Sequence, residues 1–84
     1  MAIRVRPPPK HLVKMSQDEI DLIVREHKLY IKTRGRRGEE ATFQDYDFTG
    51  ISFRNAWLND IDFRGNWFQS CDFVNIKGTL WDED

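Results

Sequence analysis

Three kinds of side chain in this sequence could do chemistry: one thiol, two imidazoles and a set of regularly spaced carboxylates. Cys71 is the only cysteine, so the chain can form neither an internal disulfide nor a thiolate cluster. His11 and His27 fall in different segments, and neither has a second histidine at metal-ligand spacing. Asp45, Asp47, Asp60, Asp62 and Asp72 recur through one region, and Asp82, Glu83 and Asp84 follow. No nucleophile is paired with a base. The sequence therefore predicts no enzyme, no metal and no cofactor. Contact chemistry is better supplied. Trp57 and Trp67 sit among the aspartates at positions expected to point outward, where an indole is costly unless it is covered or used.

The pattern that positions these residues has a period of five. Over residues 41–80 a bulky apolar residue returns as Phe43, Phe48, Phe53, Leu58, Phe63, Phe68 and Phe73. Two places before each stands Ala41, Tyr46, Ile51, Ala56, Ile61, Asn66 or Cys71, with Ile76 next in line. A continuous helix would rotate successive Phe by roughly 140° and scatter them, and a straight strand would throw them to alternate faces. A corner in every quintet solves both problems. The first and third residues share an inward side over a short extended piece, and the last two, rich in Asn, Asp, Gly and Ser, turn the chain.

This run of seven quintets resembles the pentapeptide-repeat proteins, whose pattern is Ala, Asp or Asn, then Leu or Phe, then two variable residues. The resemblance covers about half of the chain. It implies a β-solenoid, a right-handed quadrilateral β-helix with four quintets per turn and about two coils here. Residues twenty apart should then stack: Phe43 over Phe63, Phe48 over Phe68, Phe53 over Phe73, and an Asn55–Asn75 ladder at a corner. Tyr46 over Asn66 is a weak layer, and Gly78 beneath Leu58 is expected to leave a gap in the column.

The chain ahead of the repeat divides in two. Residues 1–15 are basic and contain Pro7, Pro8 and Pro9, which favour an extended arm that cannot enter a helix. Residues 16–34 carry helix signals. Ser16 and Glu19 make a capping box, Met15 can staple to Ile20, and Ile20, Ile23, Val24, His27 and Ile31 form one stripe, with Gly35 as the stop. That stripe is expected to cover the open end of the coil, with His27 at the interface. Residues 39–81 form the coil and its far end, where Leu80 and Trp81 should either fold back as a cap or abut a second copy in a homodimer.

Charge is split between these parts. Ten of the 13 Lys and Arg lie in residues 1–38, and ten of the 14 Asp and Glu lie in residues 39–84. The expected function is a non-enzymatic module that binds another protein through its outer faces, with Trp57, Trp67, Asp45, Asp47, Asp60, Asp62 and Asp72 as contact candidates. The alternative is a small DNA mimic that blocks a DNA-binding enzyme. The resemblance brings in gyrase, which some family members inhibit, although a bacterial defence complex such as a CRISPR effector ranks above it. Two coils at about 4.8 Å each rise only about 10 Å, which is short against the long footprint over which duplex DNA presents its charges. Direct nucleic-acid binding would fall to Lys32, Arg34, Arg36 and Arg37, which are not interleaved with aromatics, and is not expected. No apolar run reaches membrane-spanning length, and residues 1–14 hold no signal-peptide core, so the expected location is the cytoplasm of a bacterium or an infected bacterial cell.

Overall fold

The computed structural model describes residues 7–78, so Leu80 and Trp81, the expected end cap or dimer contact, lie outside the described residues. Its regular elements are β1 (Val13–Lys14), α1 (Gln17–Lys32) and β2 (Tyr46–Asp47), with β1 parallel to β2.

Helix α1 starts where its sequence says it should. The Ser16 hydroxyl accepts from the Glu19 N–H at 3.2 Å, and the Glu19 carboxylate accepts from the Ser16 N–H at 3.0 Å, so two donors of the first turn are satisfied reciprocally. Met15 and Ile20, on either side of the cap, are both in the buried core. At the other end the Arg34 N–H donates to the Ile31 carbonyl and the Gly35 N–H to the Tyr30 carbonyl, the paired bonds of a Schellman turn. The left-handed residue that this turn requires is Arg34, at φ 55°, one place earlier than the glycine that marks the stop.

After the helix the chain returns onto itself every twenty residues. Parallel bridges join Asp47 to Trp67, Ser52 to Asp72 and Trp57 to Lys77. The bonds around them repeat in steps of five: the N–H groups of Phe48, Phe53 and Leu58 donate to Trp67, Asp72 and Lys77. Those of Trp67, Asp72 and Lys77 donate back to Tyr46, Ile51 and Ala56. Each rung is only one or two residues long because a corner follows at once. Ile51, Ala56, Ile61 and Asn66 each donate an N–H to the carbonyl three residues earlier. The residue before each of them, Gly50, Asn55, Asp60 or Gly65, is left-handed at φ 65–84°. Asp45, Ser70 and Asn75 continue the series. These Asn, Asp, Gly and Ser residues tolerate that region better than bulkier ones.

The corners turn the Phe residues inward. Rings twenty apart lie face to face or tilted, with centroids 5.5 Å apart for Phe43–Phe63, 5.2 Å for Phe48–Phe68 and 5.3 Å for Phe53–Phe73. Rings five apart in the upper layer meet edge to face, at 84° for Phe43–Phe48 and 81° for Phe48–Phe53. Two layers that looked weak in the sequence are made good by the backbone. Asn66 points its amide inward, donating to the Phe43 and Phe63 carbonyls at 3.1 Å and accepting from the Tyr46 N–H at 2.8 Å. Gly78 leaves no gap. Leu58 is fully buried, and a Cβ on Gly78 would stand 2.9 Å from the Asn59 backbone, so the glycine marks a close approach between layers. At one corner the Asn75 amide donates to Asn55 Oδ1 at 2.7 Å.

The upper edge of this stack would expose unpaired amides, and the preceding segment covers them one by one. Strand β1 lies along β2, with the Val13 N–H donating to the Asp45 carbonyl at 3.0 Å and Met15 to Asp47 at 3.4 Å. The end of the basic arm is thus a rung of the stack, with Val13 in register with Tyr46 and Lys14 with Asp47. On the next side the Gln17 side chain stands in for a strand, accepting from the Ser52 N–H and donating to its carbonyl, both at 2.8 Å. His27, completely buried, serves two further groups. Its Nδ1 accepts from the Ala41 N–H at 3.0 Å, which leaves Nε2 to donate to the Asn59 carbonyl at 2.6 Å.

Candidate binding face

Along one side of α1, Asp21, Arg25 and Lys28 recur at helical spacing and face the Ser52–Trp57 stretch of the repeat. Between them runs a groove of about 260 Å³, floored by Ile20, Val24, Phe53 and Ala56 and rimmed by Arg25, Lys28, Arg54 and Trp57. It lies where the helix and the repeat do not meet along their whole width. Trp57 closes one end with its ring under two ammonium groups, Lys28 Nζ at 5.3 Å and Lys77 Nζ at 5.9 Å from the centroid. Asp21 is engaged at the other end by Gln17 Nε2, at 2.9 Å.

Trp67 is elsewhere. It pairs with Asp47, whereas Trp57 pairs with Lys77, so the two indoles sit half a turn apart and do not form one patch. The Trp67 ring is half-buried, and its Nε1 donates to Gln69 Oε1 at 3.0 Å.

The aspartates serve the fold. Asp47, Asp62 and Asp72 each hold the second place of a quintet and accept from the backbone N–H two residues on, at Thr49, Arg64 and Val74, and Ser52 does the same for Arg54. This bond fixes the chain as it enters the corner. Asp62 also takes a bidentate contact from Arg64, with Nε at 3.0 Å and Nη2 at 2.8 Å, and Asp72 takes Arg54 Nε at 2.8 Å. The Arg64 side-chain bond, helped by the Arg64 N–H, holds the Asp62 carboxyl down at about 2. Asp72 is lowered by the Val74 N–H and then by Arg54. At Asp47 partial burial pushes upward but is outweighed by the Thr49 hydroxyl and N–H, with Lys14 adding to them. Asp45 and Asp60 occupy left-handed corners, at φ 62° and 65°. The five acids are thus spread around the stack and do not form one carboxylate surface.

No family model, curated protein or solved structure matches the chain. The resemblance to pentapeptide-repeat proteins therefore stands on the quintets.

Other candidates are equally dispersed. Cys71 faces inward below Phe48, and its Sγ lies 3.0 Å from the Phe48 carbonyl, the same backward reach across two layers that Asn66 makes to Phe43. His11 is exposed on the arm. Lys32, Arg34, Arg36 and Arg37 ring the loop after α1, held by Thr33 Oγ1, which accepts from the Arg37 N–H at 2.9 Å. Among the described residues no three His, Cys, Asp or Glu converge to hold a metal ion, and no helix is long and apolar enough to cross a membrane. The groove beside α1 was missed in the sequence. The Asp21–Arg25–Lys28 stripe was its only signal, and a charged stripe ordinarily marks a helix face turned to water.

Proposed function

We propose that this chain is a short right-handed pentapeptide-repeat β-helix capped by α1, and that it acts as a non-enzymatic protein-binding module whose contact face is the groove beside Trp57. The fold reading is supported by rungs that pair at an interval of four quintets and by a left-handed corner in each quintet. One observation carries the function. In this groove an apolar floor, an indole and cationic side chains come together, whereas the other candidate polar groups are mostly tied to their own backbone. Apolar floors beside aromatic and Arg side chains are the features that anchor protein interfaces.

Imitation of DNA has less support. Asp62 and Asp72 are each paired with an Arg, Asp47 is bonded to Thr49, and the acids are dispersed around the stack. A duplex mimic needs a row of carboxylates free of cations.

Affinity capture from an extract of the source cell, or of its infected host, tests the module. A protein retained by the parent and by Leu22→Ala, an exposed control that does not line this groove, should be lost with Trp57→Ala at unchanged melting temperature. Equal retention by all three would reject this face.

A further inference from the structure

We propose that the groove between α1 and the repeat takes a short acidic segment of a partner protein. Carboxylates of that segment would lie on Arg25, Lys28 and Arg54, and one apolar side chain would be seated between them. The inference rests on the groove being the contact face and adds the chemistry of what enters it.

The rim carries more positive charge than its own structure uses. Among the described residues the ion pairs are Arg54–Asp72 and Arg64–Asp62, so Arg25 and Lys28 have no carboxylate partner. Arg54 meets Asp72 through Nε, and its side chain is still 58% exposed. Lys28 lies over the Trp57 ring, and Lys77 approaches the same ring. The one acid on the groove wall, Asp21, is bonded by Gln17. Cations gathered around one groove repel one another, and an incoming carboxylate relieves that repulsion.

The size and the indole decide between polyanions and peptides. A single strand of nucleic acid needs a continuous cationic track and open ring faces for its bases. Here the Trp57 ring is approached by two lysines, and Asp62 and Asp72 lie on the body beyond the rim. About 260 Å³ suits one or two side chains of a peptide. Local charge matching with a short acidic segment survives where a long polyanion is repelled by the acidic body.

The test uses the full chain and synthetic peptides. Asp-Glu-Leu-Asp-Glu, its amide counterpart Asn-Gln-Leu-Asn-Gln and a thymidine dodecamer are titrated while backbone and indole NMR shifts and Trp fluorescence are followed. The acidic peptide should move the resonances of Arg25, Lys28, Ala56 and Trp57, should bind at least about tenfold more tightly than the amide peptide, and should weaken between low and high salt. Arg25→Glu with Lys28→Glu, which alters no buried residue, should remove that binding without changing the melting temperature. Equal affinity for the amide peptide, no shift at millimolar peptide, shifts centred on the separate groove between Leu22, Glu26, Glu39 and Glu40, or tighter binding of the thymidine dodecamer at the same residues as the acidic peptide would each overturn the proposal. In the capture experiment, loss of the partner with Trp57→Ala but not with the double charge reversal leaves the contact face standing and rejects the acidic segment. Retention with both rejects the two together.

Discussion

A single imidazole does the work of two missing strand partners. His27 accepts from Ala41 through Nδ1 and donates to Asn59 through Nε2, fully buried between helix and repeat. Its removal leaves a buried donor and a buried acceptor, each costing about 1–3 kcal/mol when unpaired. His27→Phe, which keeps a ring but loses both bonds, should therefore lower stability by about 2–5 kcal/mol in urea unfolding. A variant as stable as the parent would mean that water replaces both contacts. The carboxylates set the acid limit. Asp62 is held at about 2 against an ordinary 3.8, and Asp72 and Asp47 are lowered as well. A lowered folded value means that the unfolded chain binds protons first as pH falls, so the stability these groups contribute is present above about pH 4 and is lost from there towards pH 2. The urea midpoint should fall as the pH is lowered from about 4 towards 2, and Asp62→Asn should shallow that fall. Because both partners of the Asp62–Arg64 pair are well exposed, the effect should also shrink in high salt.

At the scale of elements, the joint between α1 and the repeat is tighter than its composition suggests. Residues 34–40 carry charges and two glycines, a makeup that ordinarily marks a loose link. Yet Gly38, at φ 75°, presses on the helix so closely that a Cβ would lie 2.3 Å from the Glu26 carbonyl oxygen and 2.7 Å from the Tyr30 nitrogen. The neighbouring Glu39 N–H donates to that same Glu26 carbonyl at 3.2 Å. Gly38→Ala combines a left-handed residue with a backbone clash, and should cost more than the roughly 1 kcal/mol of a helix-interior glycine change. Thermal melting of Gly38→Ala beside Gly50→Ala separates the two effects, because Gly50 has the same φ sign and open space around it. Equal losses would show that the close approach to α1 contributes nothing.

The whole molecule depends on one aromatic column. Phe63 is 1% exposed and meets Phe43, Phe48, Phe53 and Phe68 with centroids 5.5–6.4 Å away. Truncating it to Ala should cost about 3–5 kcal/mol, a large share of what a domain of this size can hold, and should leave it substantially unfolded at room temperature. A cooperative melt at the parental temperature would show that the rings do not share a core. The column is better covered above than below within the described residues. Phe48, Phe53 and Leu58 are fully buried under β1 and α1, whereas Phe68, Phe73 and Ile76 are partly buried.

What the sequence determined by itself is periodic or local. The five-residue spacing of Phe and Leu, with small polar residues closing each quintet, dictates where the chain turns, because only a corner per quintet keeps those rings on one side. The Ser16–Glu19 box dictates where the helix begins, since its bonds span a single turn. The tertiary structure decided everything that depends on which polar atom is left over at an edge. Gln17 carries no periodic signal, and the stripe that places His27 at the interface does not say what its ring nitrogens bond; both became strand substitutes only because the upper layer presents Ser52, Ala41 and Asn59 to them. Asp47, Asp62 and Asp72 counted as surface charge in the sequence. The fold turned them into corner braces, because a carboxylate two residues before an unpaired N–H satisfies it at no cost in chain length. The groove beside Trp57 was decided last, by the fit of helix α1 against the repeat, which no spacing along the chain encodes.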